Sequence, residues 1–414
     1  MRTDDDGPAD RSPRVGVVGA GITGLALVHH LRERGVSAVC FEARDRPGGV
    51  VHSRVTDGRV LELGPQRTRL AEPIEDLVGD LSLYADLVVG DDDLPIYVYA
   101  GGRLREVPRD LGSLLRTDLV PPRALCRALT EPLTDPIDPS ETAAEAFTRK
   151  FGPTVYENVI APLFGGIYAS DPAAMPARHA LAGLMRLEER EGSLLKPALD
   201  RLLGLGDPTP PPISFDDGLG RLTDALYAAH ADRIHLDTPV TAVRPADHGG
   251  GTAADGGTAV ASHGSTDDAP RYVIETGDGR AIVDRVVVTT PQVRRDEPLA
   301  TLGVTWNASL FDRDELYTVF LGGMDRPELA DAVPDRLGAL AREEFRTVMG
   351  REASVIDVTR LPVGFPAYDG SWDALDDLTL PPGVHLATNY VARSGLPGRV
   401  RQARRLAERF VEAG

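Results

Sequence analysis

The sequence predicts an α/β fold, built around a βαβ unit near its N-terminus and completed by strands from later segments. The apolar run Val15–Val18 is followed at once by a G-x-G-x-x-G pattern and by apolar residues at helical spacing. An acidic residue, Glu42, ends the next apolar run, about 20 residues further on. Short strand-like runs recur in distant parts of the 414-residue chain, while residues 110–205 have a mostly helical pattern. Strands from separated segments must therefore join one sheet.

The glycine pattern consists of Gly19, Gly21 and Gly24. The first glycine permits a tight turn, the second lets backbone N–H groups approach a pyrophosphate, and the third packs the helix against the strand. The helix N-terminus adds a partial positive charge for phosphates. At the end of the second strand, Glu42 is placed to accept hydrogen bonds from a ribose diol. The pattern predicts a dinucleotide site, and an ordinary glycine turn is the alternative.

The segment Glu42–Gly49 reads E-A-R-D-R-P-G-G. It resembles the FAD-binding fingerprint of the flavin amine oxidase and protoporphyrinogen oxidase superfamily, which nicotinamide-dependent dehydrogenases usually lack. A second glycine pair, Gly48 and Gly49, would let the chain pass close beneath the cofactor's phosphates. The resemblance implies FAD rather than NAD, with a plain turn before Val50 as the alternative.

Composition narrows the cellular setting. No run of 18 uncharged apolar residues occurs and the N-terminal segment is polar, so we expect neither a membrane span nor a secretory signal. Cys40 and Cys126 stand in apolar contexts, which favours a reducing cytoplasm without disulfides, and no Cys/His spacing predicts a metal site. The net charge of −18, with only two lysines (Lys150 and Lys196), resembles proteins of halophilic organisms and excludes nucleic acid as a partner.

Four further segments resemble the same superfamily. Leu61–Arg67 (LELGPQR) is similar to a stretch beside the flavin in protoporphyrinogen oxidases, and Pro162–Asp171 (PLFGGIYASD) to a segment of their helical domain. Gly303–Phe311 and Phe320–Gly323 resemble late strands of their substrate domain. The chain is therefore identified as similar to the protoporphyrinogen and coproporphyrinogen oxidases, with a shortened substrate domain.

This resemblance implies a p-hydroxybenzoate hydroxylase-like arrangement. A Rossmann-like FAD domain is interrupted by a substrate-binding sheet and a helical domain. The predicted segments are 13–90, 213–291 (with a flexible loop at 246–270) and 381–414 for the FAD domain, 91–104 and 292–380 for the substrate sheet, and 105–207 for the helical domain.

The implied activity is FAD-dependent oxidation of protoporphyrinogen IX or coproporphyrinogen III to the porphyrin, with oxygen as acceptor, in haem biosynthesis. Because the flavin carries the chemistry, no side chain is assigned as catalytic. Substrate-lining positions fall on Gly166 and Phe320, whose alternative roles are a helix-end turn and a core strand residue. The implied cofactor-binding residues are Gly19, Ala20, Gly21, Ile22, Thr23, Gly24, Glu42, Ala43, Arg46, Gly48, Gly49, Val50, Gly64, Pro65, Gln66, Arg67, Val240, Asn389 and Leu396.

Three departures from the family pattern predict weaker catalysis or a narrower substrate range. Ile96 stands where relatives often carry an arginine that clamps a propionate. Only residues 292–302 separate two strands that are usually far apart, so Phe320 lacks its usual opposing residue. Ala392 and Arg393 replace a glycine pair near the flavin.

Other interpretations stay open at this point. The chain is alternatively another oxidoreductase of the superfamily, such as an amine oxidase or a carotenoid desaturase-like enzyme, or a degenerate FAD-binding paralogue without catalysis. The helical domain of relatives often lies on a membrane, so a cytoplasmic protein with peripheral membrane contact is one arrangement, and a monomer and a homodimer are equally compatible. We expect His29 and His30 to be exposed or half-buried rather than ligands.

Overall fold

The computed structural model describes most of the chain. The described residues are 15–100, 102–206, 208–246, 272–277, 279–283, 285–288, 300–313, 316–324, 326–361, 368–388 and 395–412. Asn389, Ala392, Arg393 and nearly all of the predicted loop 246–270 lie outside them.

Within these residues the chain forms the following strands and helices. The strands are β1 (Val15–Val18), β2 (Ala38–Phe41), β3 (Ser53–Thr56), β4 (Arg59–Glu62), β5 (Thr68–Arg69), β6 (Leu87–Val89), β7 (Tyr97–Ala100), β8 (Arg103–Glu106), β9 (Pro212–Phe215), β10 (Ile234–His235), β11 (Val240–Pro245), β12 (Tyr272–Thr276), β13 (Gly279–Val283), β14 (Arg285–Val288), β15 (Thr301–Trp306), β16 (Tyr317–Leu321) and β17 (Val384–Leu386). The helices are α1 (Ile22–Glu33), α2 (Glu72–Asp80), α3 (Leu111–Arg116), α4 (Pro122–Ala128), α5 (Ala143–Phe151), α6 (Pro153–Val155), α7 (Ala161–Tyr168), α8 (Ala177–Ala180), α9 (Ala182–Glu191), α10 (Leu195–Leu202), α11 (Gly220–His230), α12 (Asn307–Phe311), α13 (Pro334–Met349) and α14 (Leu396–Glu412).

The central sheet is parallel and has the strand order β10-β2-β1-β14-β17. β1 lies in its middle, where Val15 pairs with Ala38 of β2 on one side and with Arg285 of β14 on the other. β10 joins β2 and β17 joins β14, also in parallel. The sheet therefore draws its strands from stretches of chain more than 200 residues apart, and the predicted interrupted α/β fold is confirmed.

Helix α1 is buried on all sides rather than along one stripe. Every residue from Ile22 to Leu31 is buried, because α11 and α14 pack against the helix in the same core that covers the sheet. A helix enclosed in this way needs no polar face. The expectation that His29 and His30 are exposed or half-buried is therefore wrong: their exposed fractions are 5% and 3%.

The remaining sheets are small and antiparallel. β11, β12 and β13 form one sheet, and β15 and β16 form a two-stranded ribbon in which Phe320 pairs with Gly303. The expectation of a continuous strand over Gly303–Phe311 is wrong in its second half, because the strand ends at Trp306 and α12 begins at Asn307. An apolar run of this length does not by itself distinguish a strand from a short helix.

Helices α3 to α10 form the region predicted to be helical. It has its own apolar core around Phe147 and Met175, to which Tyr368 and Trp372 also contribute. Lys150 is completely buried in this region and is paired with Glu131 and Glu188. No helix in the described part of the chain is both long and apolar enough to cross a bilayer.

Candidate cofactor and substrate site

The glycine turn after β1 combines one tight contact with one open position. A Cβ atom on Gly24 would lie 2.0 Å from the carbonyl oxygen of Gly19, so α1 approaches the turn as closely as it does only because residue 24 is glycine. A Cβ on Gly21 would meet no atom within 4 Å. The space beside Gly21 is therefore open to a ligand that approaches the backbone.

The first turn of α1 contains no acidic residue of its own. Gly21 is its N-cap, no side chain caps the helix, and no acidic residue lies in its first turn, which begins with Ile22 and Thr23. The partial positive charge of the helix end is left without a protein counter-charge in that turn. Such a helix end suits a phosphate group.

The second glycine pair lies directly against the first turn. The N–H of Gly48 donates to the carbonyl of Ala20 at 2.8 Å, and a Cβ on Gly49 would lie 3.2 Å from Cα of Gly21. Gly48 has φ +91°, which side chains disfavour, and a Cβ there would also lie 2.4 Å from the carbonyl oxygen of Val51. The two glycine segments thus form one continuous surface around Gly21.

Glu42 is fixed by the backbone of both segments. Its Oε2 accepts from the N–H of Ala20 at 2.8 Å and its Oε1 from the N–H of Arg44 at 3.0 Å, and the residue is only 9% exposed. A carboxylate offers roughly four lone-pair sites, so two remain for hydroxyl donors. Ala43 beside it is exposed. Partial burial, followed by the charge of Arg44, lowers the pKa of the Arg46 guanidinium, so a nearby anion would stabilise its charged form.

The segment after β4 crosses the segment after the glycine pair. A Cβ on Gly64 would lie 1.8 Å from the carbonyl oxygen of Val50, so the two backbones are in contact. Pro65 follows, and the amide of Gln66 donates to the carbonyls of Glu62 at 3.1 Å and Gly64 at 3.0 Å. These bonds hold residues 62–66 in one rigid turn, whereas the side chain of Arg67 is exposed.

Asn307 joins this turn to the ribbon of β15 and β16. Its Nδ2 donates to Oε1 of Gln66 at 3.0 Å and to Oγ1 of Thr318 at 2.9 Å. Asn307 is fully buried, and its Oδ1 has no hydrogen-bond partner within the protein. A buried acceptor of this kind is costly unless a ligand or water donates to it.

Sequence reasoning missed the polar centre beneath this turn. The buried carboxylate of Glu62 accepts from Oγ of Ser214 at 3.1 Å, from the N–H of Leu219 at 2.9 Å and from the guanidinium of Arg313 at 3.3 Å, and also from Ser53. The only signal in the sequence is a glutamate inside the apolar run LELG, and nothing in it identifies Arg313 as the partner.

On the substrate side, Gly166 lies within α7 and faces the ribbon. A Cβ at this position would lie 3.0 Å from the carbonyl oxygen of Leu302 in β15. A larger residue would therefore push β15 away from the helix. The helix-end turn that we considered for Gly166 is instead made by Ala169, whose φ of +50° ends α7.

Phe320 is half-buried on β16, and the alternation of the strand determines its direction. Tyr317 packs against Phe345 of α13 at 5.1 Å between ring centroids, and Leu321 packs against an apolar cluster that includes Leu337 of the same helix. Phe320 and Thr318 point to the other face. Since Thr318 is bonded through Asn307 to Gln66, Phe320 lies on the face of the ribbon that looks toward the predicted flavin segment.

Ile96 marks the edge of this region. It is 48% exposed, at the start of the β7 strand. The neighbouring Tyr97 packs edge-on against Trp306 at 6.0 Å, and Trp306 against Tyr317. The edge is therefore aromatic and apolar at the position where relatives often carry a propionate-binding arginine.

Two further predicted cofactor residues, Val240 and Leu396, lie in separate apolar clusters, and Asn389 is outside the described residues. Val240 packs beside Phe41, and Leu396 is buried at the first residue of α14. Thr388, near the end of β17, has a buried hydroxyl without a hydrogen-bond partner in the protein. The open space at Gly21, the uncapped helix, the carboxylate of Glu42 and the unpartnered Oδ1 of Asn307 all fit a bound dinucleotide.

Known proteins support this assignment. The profile of the family described as flavin-containing amine oxidoreductase matches residues 22–296. Chloroplastic protoporphyrinogen oxidase of Nicotiana tabacum is 27% identical over 94% of this chain and 83% of its own length. Coproporphyrinogen III oxidase of Staphylococcus aureus is 31% identical over 51% of this chain and 50% of its own length.

Solved structures agree on the fold. A protein from Exiguobacterium sp., provisionally assigned as a protoporphyrinogen oxidase, superimposes with a TM-score of 0.74 at 21% identity, covering 97% of this chain and 99% of its own. A UDP-galactopyranose mutase superimposes with a TM-score of 0.66 at 14% identity, over 97% of this chain and 96% of its own. The resemblance inferred from the motifs is confirmed, and so is FAD as the cofactor. This chain belongs to the flavin-containing amine oxidoreductase family and is an FAD-dependent oxidoreductase.

Proposed function

We propose that this protein oxidises a porphyrinogen, either protoporphyrinogen IX or coproporphyrinogen III, to the corresponding porphyrin, with oxygen as final acceptor, in haem biosynthesis. The observation that carries the proposal is the position of Phe320, on the face of the ribbon toward Gln66. An aromatic ring there can stack on a flat pyrrole. The names of the relatives from Nicotiana tabacum and Staphylococcus aureus support the same substrate class.

The residues of the chain would bind the cofactor and orient the substrate. The glycine turn and α1 would hold the pyrophosphate, Glu42 the ribose, and the segment of Gly64 to Arg67 would run beside the flavin. Bound FAD supplies the hydride acceptor for each of three two-electron oxidations of the macrocycle. Phe320 would fix the plane of the macrocycle, and the close approach of Gly166 to Leu302 fixes the ribbon that carries Phe320.

A spectroscopic titration tests the substrate class. Holoprotein purified in high salt is made anaerobic and mixed with each porphyrinogen. We expect the flavin absorbance to bleach and to return with air, while porphyrin fluorescence rises. Simple amines and phytoene-like polyenes should leave the flavin oxidised. Bleaching by an amine, or none by either porphyrinogen, would contradict the proposal and favour one of the other superfamily activities.

A pair of variants tests the role of Phe320. Phe320→Leu removes the ring but keeps an apolar side chain, and ring stacking of about 0.5–1.5 kcal/mol corresponds to a roughly 2- to 12-fold rise in KM. Tyr317→Leu, on the opposite face, is the matched control and should change stability rather than KM. Equal effects of the two variants on KM would refute the stacking role.

We further propose a cytoplasmic protein, monomeric or homodimeric, with peripheral membrane contact through the helical region. Leu129, Leu133, Leu203 and Leu205 of that region are all more than half exposed. Exposed apolar side chains of this size can enter the lipid interface. Co-sedimentation with vesicles tests the contact, and replacing Leu129 and Leu133 by serine should reduce it.

A further inference from the structure

A cluster of buried polar side chains lies at the C-terminal end of α1, away from the cofactor turn. His29 and His30 belong to its last turns, and His230 is the last residue of α11. Their exposed fractions are 5%, 3% and 8%. Buried histidines at this density call for an explanation, since a protonated imidazole is costly to bury without a partner.

Ligand-type atoms of three residues, His29, His30 and Glu33, lie within 4.8 Å of one another. Oε2 of Glu33 lies 3.5 Å from Nε2 of His29 and 3.3 Å from Nδ1 of His30. Oδ2 of Asp80, from the end of α2, lies 3.2 Å from Nε2 of His29. In a tetrahedral zinc site with bonds of about 2.0–2.1 Å, neighbouring ligand atoms are separated by about 3.4 Å. The two separations from Glu33 match this edge length, whereas Asp80 contacts His29 alone among these residues.

The second nitrogen of His29 is also positioned by the protein. Its Nδ1 lies 3.0 Å from Nε2 of His230, so one ring donates to the other. When a histidine binds a metal ion through one nitrogen, the other nitrogen usually donates to a nearby acceptor that fixes the ring. His230 supplies such an acceptor.

The charges around His29 favour a cation. Glu33 and Asp80 both approach Nε2 of His29, which carries at most one hydrogen and so can donate to only one of them. Arg34 is the nearest guanidinium to Glu33, at the outer limit of an ion pair, 4.0 Å. By contrast, in the other histidine–carboxylate group of the described residues, His179 with Asp373 and Asp376, Arg178 contacts both carboxylates. That second group already has its counter-charge.

We propose that His29, His30 and Glu33 bind one divalent transition-metal ion of the zinc class, with water completing its coordination and Asp80 as a neighbouring negative charge. Imidazole and carboxylate donors in this number are typical of such ions. A surface cavity of about 540 Å³ reaches the cluster and is lined by His30, Glu33 and Asp80, and also by Arg34 and Arg404. Arg404 is itself paired with Glu72 and Asp76. The cavity gives an ion a path from solvent. The proposal departs from the sequence, which predicted no metal site.

The bound ion would strengthen the junction of three helices. α1 supplies its three ligands, Asp80 of α2 contacts His29, and α11 orients His29 through His230. Because the site exists only in the folded chain, binding would stabilise the fold in proportion to the concentration of free ion. No part of this inference depends on the substrate of the flavin.

Metal content and stability of the holoprotein test the proposal. The protein is stripped with a chelator, dialysed against Zn²⁺, and analysed for metal per chain, and the melting temperature is measured with and without Zn²⁺. We expect one equivalent of zinc and a higher melting temperature. With Co²⁺, ligand-field bands should appear at wavelengths beyond the flavin absorption. No bound metal above the dialysis background would overturn the proposal.

Three variants locate the ion. Glu33→Gln, at a half-exposed position, should weaken binding at least about tenfold, and His30→Gln provides an independent second ligand variant should the first fold poorly. Glu75→Gln, at a residue that lines the same cavity without joining the cluster, is the matched control and is expected to bind as the parent does. Binding unaffected by both Glu33→Gln and His30→Gln but abolished by Asp373→Asn would place the ion at the other group and refute the assignment.

Discussion

Replacing Glu42 by alanine should separate the two tasks of this carboxylate. In the structure it accepts from the N–H groups of Ala20 and Arg44, at 2.8 and 3.0 Å, and two further lone-pair sites are available to a ribose. Glu42→Ala therefore removes a bridge between the glycine turn and the segment after β2, and also removes the ribose contact. Asp45→Asn, which deletes a charge at an exposed position three residues away, is the matched control.

The magnitude follows from the type of bond. A hydrogen bond to a charged group contributes about 1.5–3 kcal/mol. Loss of the ribose contact alone should thus raise the Kd for FAD roughly 10- to 100-fold, since about 1.4 kcal/mol is tenfold. The two lost backbone bonds act on the protein without cofactor as well, so the melting temperature of the apoprotein should also fall.

The assay compares FAD with an analogue that lacks the hydroxyls of the adenosine ribose. Apoprotein is titrated with each cofactor and binding is followed by the quenching of flavin fluorescence. The parent protein and Asp45→Asn should prefer FAD, and Glu42→Ala should have lost this preference. If Glu42→Ala retains FAD as tightly as the parent, or loses affinity for both cofactors equally, the carboxylate does not bind the ribose and the reasoning fails.

Three further predictions concern packing, substrate and pH. Gly24→Ala should destabilise the fold, because its Cβ would lie 2.0 Å from the carbonyl oxygen of Gly19. Gly21→Ala should leave the melting temperature of the apoprotein unchanged and should weaken FAD binding. Equal melting curves for the two variants would contradict the packing argument. Ile96→Arg should lower KM for porphyrinogen by one to two decades with little change in kcat, because a bidentate contact to a propionate contributes about 1.5–3 kcal/mol. If the parent already turns over porphyrinogen rapidly and Ile96→Arg does not lower KM, the hypothesis that a propionate clamp is missing is refuted. Burial lowers the pKa of His230 from 6.5 to about 4, so the unfolded chain binds more protons than the folded chain between these pH values. In metal-free protein, the free energy of unfolding should be highest above pH 6.5 and should fall as the pH drops toward 4, by at most about 3 kcal/mol. His230→Gln should flatten this dependence when the denaturant midpoint is measured against pH.

The parts of the fold that the sequence predicted are those encoded by neighbouring residues. The run from Val15 to Glu42 contains a strand, a glycine turn, a helix and a second strand within one contiguous segment, and each has a local signal. The identity of the cofactor followed from the adjacent segment Glu42–Gly49, through its resemblance to an FAD-binding fingerprint.

The parts that were missed depend on residues far apart in the chain. Glu62 is paired with Arg313, and Gln66 is bonded to Asn307, about 250 and 240 positions later, and no local pattern signals such partners. The burial of His29 and His30 has the same origin, because α11 and α14 enclose α1 from distant segments. From the sequence of a helix alone, its polar residues are predicted to face solvent. This prediction fails where helices from distant segments cover them.

The interleaved central sheet has a consequence for how the protein is made. Both edges of β1 are paired only after β14, about 270 residues later, has been synthesised. α1 is covered only after synthesis of α14, the last helix in the described part of the chain. Contacts of such sequence separation form slowly, and until they form, the apolar strand edge and helix are open to aggregation. We therefore expect FAD to be retained only after β14 and α14 have packed against β1 and α1. A ribosome-stalled or C-terminally clipped chain would carry the whole N-terminal fingerprint and still be a client for chaperones.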